Sequence, residues 1–209
     1  MPHDGDHEPI VDEHEGAPSE FEIMSRALQE LFVEKGYVDA KQITHRMETF
    51  DNDYPYRGNR VIARAWADPD FKERLLTDAN AACAEMGIDV SPARLIAVEN
   101  TPETHNLIVC TLCSCYPRTL LGMPPTWYKS RNYRSRVVHE PRSVLQEFGT
   151  EIPNDVTVRV HDSNADMRYV VIPMRPEGTE GLSELQLENL LTRDHLVGIT
   201  VPTASADSK

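Results

Sequence analysis

Between residues 20 and 92 apolar positions recur every three or four residues; beyond residue 93 the interval shortens to two. In "SEFEIMSRALQELFVEKG", Met24, Leu28, Leu31 and Phe32 follow the helical period. Ser19 with Glu22 three residues on forms a capping box, and Gly36 supplies a stop. A helix is predicted over about 20–35, and "DAKQITHRMETF" carries another. Together they read as a helical arm, whose apolar stripe packs either on its own domain or on a partner chain. "NRVIARAWADPDFKERLLTDANAACAEMG" reads as two more helices, with Asp68 as a cap and Pro69 in the first turn. Phe71, Leu75, Ala79, Cys83 and Met86 form one stripe there, so Cys83 reads as a small buried hydrophobe.

From residue 93, "RLIAVEN", "NLIVC", "VTVRVHD" (156–162), "RYVVIP" (168–173) and "HLVGITVP" (195–202) read as strands. Helices are expected in "PPTWYKSRNYRSRVV", "EPRSVLQEFG" and "LSELQLENLLTRD". Strands and helices mix without strict alternation, which predicts an α+β fold rather than a doubly wound sheet. The N-terminal helical arm precedes a mixed α/β domain. Residues 1–19 are rich in Asp and Glu, hold His3, His7 and His14, and lack Lys and Arg. Such a segment buries too little to offset ordering entropy and reads as a disordered tail. The expected division is 1–19 acidic tail, 20–92 helical arm and helices, 93–202 an α+β domain, and 203–209 a second disordered tail.

The formal net charge of −13 disfavours nucleic acid and anionic membranes, both of which need a basic face. No apolar run reaches transmembrane length, and "MPHDGDHEPI" lacks the basic start and apolar centre of a signal peptide. These features predict a cytoplasmic protein, where thiols stay reduced and clustered cysteines serve as metal ligands or nucleophiles.

Three of the four cysteines fall within Cys110-Thr111-Leu112-Cys113-Ser114-Cys115, where an apolar strand ends and a Pro-rich loop begins. Three chemistries fit. Cys110 and Cys113 form a C-x-x-C redox spacing, though such pairs usually open a helix and the third thiol is then idle. Three thiolates with His105 or His139 would make a tetrahedral zinc site, although a second knuckle is missing. In the third reading Cys113 and Cys115 flank Ser114, so two sulfurs and the intervening backbone nitrogens surround one ion in a plane. Cys110 then occupies an axial place and the opposite axial site stays open. Amide nitrogen is a very weak acid, so that ion is trivalent and strongly Lewis-acidic, able to polarise a substrate or acidify water.

The segment "VCTLCSCYPRTLLGMPPTWYKSRNYRSRVVHEPRSVLQEFG" resembles the metal-binding segment of the nitrile hydratase α subunit family, which includes the thiocyanate hydrolase γ subunit. The similarity extends through "ARAWADPDFKERLL", "RYVVIPMRPEGTEG" and "LTRDHLVGITVP", covering about residues 20–202. The resemblance implies that Cys110 is the axial thiolate, Cys113 a sulfinic acid and Cys115 a sulfenic acid, the last acting as nucleophile or base. Ser114 and Cys115 would give backbone nitrogens to the metal. Thr111 implies low-spin cobalt(III) over iron(III). The implied reaction is hydration of a nitrile to its amide within a multi-subunit complex. A β-type partner subunit would supply arginines to the oxidised sulfurs, and an activator or metallochaperone is implied for loading. After "CSCYP" the family usually has Trp, then Pro; here Arg118 and Thr119 stand there. Thiocyanate hydrolase has arginine at this place. Arg118 is therefore a substrate-pocket candidate for thiocyanate, converted to carbonyl sulfide and ammonia, or for a polar heterocyclic nitrile, as in the three-subunit, toyocamycin-type enzymes. Alternatively it makes a salt bridge at a subunit contact.

Other residues have plainer readings. Trp127 and Tyr128 are expected to pack the loop on the core. Arg131 and Arg134 share a helix face near Arg136 and Arg142, suited to solvent, an acidic partner or support of the cysteine loop. His105 is expected in a structural hydrogen bond, and "HDSNADMR", with Asp162 and Asp166, as a turn. A non-enzymatic, zinc-stabilised interaction protein remains the alternative class.

Overall fold

The computed structural model describes residues 17–204, the side chains of 49–51 excepted. The expected acidic tail, with His3, His7 and His14, lies outside the described residues except at its last few positions, as does most of the C-terminal one. The chain runs through α1 (Glu20–Glu34), α2 (Ala40–Asn52), α3 (Tyr54–Ala67), α4 (Pro69–Thr77) and α5 (Ala79–Glu85) before its first strand. Then come β1 (Arg94–Glu99), β2 (Thr104–Val109), α6 (Arg118–Leu121), α7 (Thr126–Lys129), α8 (Arg131–His139) and α9 (Pro141–Glu147). β3 (Thr157–Asp162), β4 (Met167–Ile172), α10 (Glu184–Glu188) and α11 (Arg193–Val197) complete it. The fold is α+β. No described helix is long and apolar enough to cross a membrane.

α1 begins at the capping box formed by Ser19 and Glu22, but none of its residues is buried. Its stripe therefore does not pack on its own domain. The stretch 69–85, expected as one helix after α3, is two. Asp78 leaves the helical conformation at φ −146°, ψ 91°, and its carboxylate accepts from the Ala81 N–H to start α5. The stripe nevertheless runs across this break, since Phe71, Leu75, Ala79 and Cys83 are all buried. Burial alone pushes the Cys83 thiol up to about 12, which leaves it inert.

Both strand pairs are parallel: β1 lies beside β4, and β2 beside β3. The last five positions of β2 are buried without alternation, as expected of a strand covered on both faces, whereas β3 alternates. The register pairs Val109 with Asp162. That pairing brings the end of β3 to the point where β2 gives way to the cysteines.

The run 195–202, expected as a strand, is instead the end of α11 followed by a loop. Thr192 and His195 form a capping box, and Gly198 at φ +87° ends the helix in the left-handed region. Leu196, Val197 and Ile199 are fully buried. Their apolar run thus reflects core burial at a helix end, not the two-residue period of a sheet. His105 is buried beside this turn, its Nε2 at 2.7 Å from the Gly198 carbonyl and its Nδ1 at 3.3 Å from the Asn100 amide. Gly198 O accepts only from N–H, so the ring proton sits on Nε2. Desolvation holds His105 below the usual imidazole range, against the pull of that carbonyl. The histidine is structural, as expected.

Candidate metal centre

Cys110 is fully buried at the end of β2, whereas Leu112 at the loop apex is 84% exposed. The Cys113 sulfur lies 3.4 Å from that of Cys110 and 3.3 Å from that of Cys115. All four cysteines of the chain are free. Among the described residues the three clustered sulfurs form one potential metal group, within 4.8 Å of one another, and neither His105 nor His139 belongs to it. These spacings bring the three sulfurs close enough to share one ion.

The backbone points into the same space. The Cys113 N–H donates to the Cys110 sulfur at 3.3 Å, and the backbone of Ser114 and Cys115 runs close beside the Cys113 thiol. Hydrogen bonds from Cys115 and Cys110, then from that backbone, hold the Cys113 thiol below its ordinary range. Burial, followed by the neighbouring sulfurs, pushes Cys115 up to about 12, and the positive charge of Arg168 opposes that rise. The three sulfurs form a donor set that could hold one metal ion, and a bound ion would favour their thiolate forms.

Neighbouring elements fix the loop at several points. Tyr133 donates to the Ile108 carbonyl at 2.7 Å, and Tyr128 to the Cys115 carbonyl at 3.0 Å. Both rings are fully buried, and Trp127 packs edge-on against Tyr128, Tyr133 and Phe148. Trp127 and Tyr128 thus serve the packing role read from the sequence. Asp162 accepts from the Thr111 N–H at 2.9 Å and from its hydroxyl at 2.6 Å, and Arg134 donates to the Thr111 carbonyl at 3.3 Å. Arg134 supports the cysteine loop rather than facing solvent alone. Arg136 pairs with Glu140 at 2.7 Å and with Glu147, and Arg142 donates to the Ile152 carbonyl at 2.8 Å and to that of Val156.

A cavity of about 370 Å³ opens over the exposed side of the cluster. Cys113, Ser114 and Cys115 form one wall, Val90, Pro92 and Leu95 another, and Arg118 and Arg168 bring positive charge to it. Arg118 is exposed at the start of α6. Arg168 is held by its contacts to the Asn164 and Met167 carbonyls. The structure thus brings Cys110, Cys113, Ser114, Cys115 and Arg118 to one place. Asp162 and Arg168 escaped the sequence reading. Asp162 ends β3, as the strand read over 156–162 implied, but was given no role there, while Asp166 sits in the expected turn, its N–H donating to Asn164.

The family model for the nitrile hydratase alpha chain matches residues 19–200. The chain is 45% identical over 199 residues to the low-molecular weight cobalt-containing nitrile hydratase subunit alpha of Rhodococcus rhodochrous, covering 94% of this chain and 96% of that one. It is 42% identical to the thiocyanate hydrolase subunit gamma of Thiobacillus thioparus, covering 93% and 83%. Among solved structures it is similar to a double mutant of the Fe-type nitrile hydratase from Comamonas testosteroni Ni1, with TM-score 0.82, 40% identity and coverage of 90% and 93%. A recombinant thiocyanate hydrolase with partially modified cobalt centres gives TM-score 0.79 at 39% identity, covering 90% and 95%.

Proposed function

We propose a function from the premise that this chain belongs to the nitrile hydratase α-chain family: it is the metal-binding subunit of a cytoplasmic nitrile hydratase that adds water to a nitrile to give the amide. The observation that carries this reading is the convergence of three sulfurs on one space beside an open cavity lined by Cys113, Ser114 and Cys115. Residues 93–202 act as the metal-binding unit. Cys110, Cys113 and Cys115 hold the ion through sulfur, and Ser114 and Cys115 through backbone nitrogen. Cobalt(III) is the proposed ion, supported by Thr111 and by cobalt-containing relatives, 45% and 46% identical; when bound, it supplies Lewis acidity toward the nitrile or a water.

The remaining chemistry belongs to the chain. Cys113 is proposed as sulfinate and Cys115 as sulfenate, with Cys115, on the cavity wall, serving as nucleophile or base toward the nitrile carbon. Val90, Pro92 and Leu95 offer an apolar wall for the substituent. Oxidised sulfurs are anionic and call for charge-assisted donors. Those donors are proposed to come from arginines of a β-type partner subunit, with an activator or metallochaperone loading the ion. Arg118 and Arg168 on the same cavity favour a second reading, hydrolysis of the thiocyanate anion to carbonyl sulfide and ammonia.

Metal analysis and intact mass of the purified complex test the proposal together. Stoichiometric cobalt with three added oxygens on this chain is the expected result; zinc with unmodified cysteines would favour an interaction protein. Assays with an aromatic or nucleoside nitrile and with thiocyanate then separate the two activities. Turnover of thiocyanate alone would replace the first reading by the second.

A further inference from the structure

The loop apex has little apolar burial to hold it. Leu112 is 84% exposed and Cys113 is exposed, while fixing each residue's backbone costs roughly 1–2 kcal/mol of conformational entropy. Polar contacts must therefore supply much of its order, and they concentrate on one residue. Thr111 has three backbone and side-chain groups able to hydrogen-bond, and all three are engaged. Its N–H and hydroxyl go to the two oxygens of Asp162, and its carbonyl accepts from Arg134. Taking two donors from one residue on two oxygens suits a carboxylate, since a carboxamide offers only one acceptor oxygen. Asp162 reaches this position because the parallel register sets it opposite Val109, with the Ser163 N–H donating to the Val109 carbonyl at 2.7 Å.

We propose that Asp162, with Arg134, is a positioning residue that clamps Thr111 and so sets the Cys110–Cys113 turn in its metal-binding shape before the ion arrives. The inference rests on the metal reading above and deepens it: Asp162 touches neither ion nor substrate, and acts by lowering the cost of ordering the ligands. Its carboxylate is exposed, so losing it should leave the fold intact while freeing the loop.

The test is titration of the reduced, full-length chain with Cd²⁺, a redox-inert soft ion that favours thiolates, followed by thiolate-to-metal charge-transfer absorbance. Asp162→Ala and Thr111→Val should each weaken Cd²⁺ binding roughly 10- to 100-fold, as losses of supporting contacts around metal ligands do. Thermal unfolding should stay close to that of the parent. Thr111→Ser, which keeps the hydroxyl, should bind as the parent does. The double variant Asp162→Ala/Thr111→Val should be no worse than Asp162→Ala alone, because losing the carboxylate already removes the hydroxyl contact that Thr111→Val deletes. Parent-like affinity in the single variants, or losses that multiply in the double, would overturn the clamp. Should Asp162→Ala fail to fold, Asp162→Asn and Thr111→Val carry the same test. A parent chain that shows no thiolate charge-transfer band would overturn the metal reading itself, and the clamp with it.

Discussion

Arg118 puts a full positive charge on the cavity that Cys113 and Cys115 face, and its side chain is exposed. Replacing it with glutamine should leave thermal stability nearly unchanged, as at most exposed sites. If it steers an anion, KM for thiocyanate should rise roughly two- to five-fold, the worth of one partly solvated charge contact. KM for a neutral nitrile should barely move. Equal shifts for both substrates would make Arg118 a steric wall. Residues such as Cys110, Cys113 and Cys115 were legible in the sequence because they are near neighbours along the chain, so spacing alone reports their chemistry. Asp162 was not, since it meets Thr111 from 51 positions away. Arg168 reaches the cavity from a strand start whose apolar pattern says nothing about its own direction. Parallel pairing makes such meetings, and no local pattern records which strands pair.

Among the elements, helices with their own caps were readable in outline, as with α1 and its Ser19–Glu22 box or α4 behind Asp68. The failures share a cause. At Asp78 and at residues 195–202 the apolar residues serve the core continuously while the backbone changes direction beneath them. Gly198 is the residue that decides the second case. A Cβ there would lie 2.0 Å from the Asn106 carbonyl oxygen, on β2, in a backbone conformation that disfavours side chains. Gly198→Ala should therefore destabilise the protein by about 3 kcal/mol or more, combining overpacking against backbone with φ strain. Urea unfolding would measure it. Because β2 leads into Cys110, the same variant should also bind metal more weakly; unchanged stability would mean that the α11–β2 contact is loose.

For the whole molecule, the unburied arm is the feature that asks for another chain. Phe21, Met24, Leu28, Leu31 and Phe32 are between 42% and 79% exposed along α1, a contiguous apolar face of the kind that marks interaction surfaces. Leu28→Glu with Leu31→Glu should leave the unfolding temperature of the isolated chain unchanged, because neither side chain is buried. The same pair of changes should prevent co-purification with a β-type subunit. A lowered unfolding temperature would instead place the arm on its own core. The pairing of β2 with β3 has a consequence in time as well as space. The three cysteines emerge from the ribosome before Asp162 does, by an interval on the order of seconds at ordinary synthesis rates. During that interval the nascent thiols have no partner strand and no fixed shape, so the growing chain is most open to wrong metals and stray oxidants just before β3 is made.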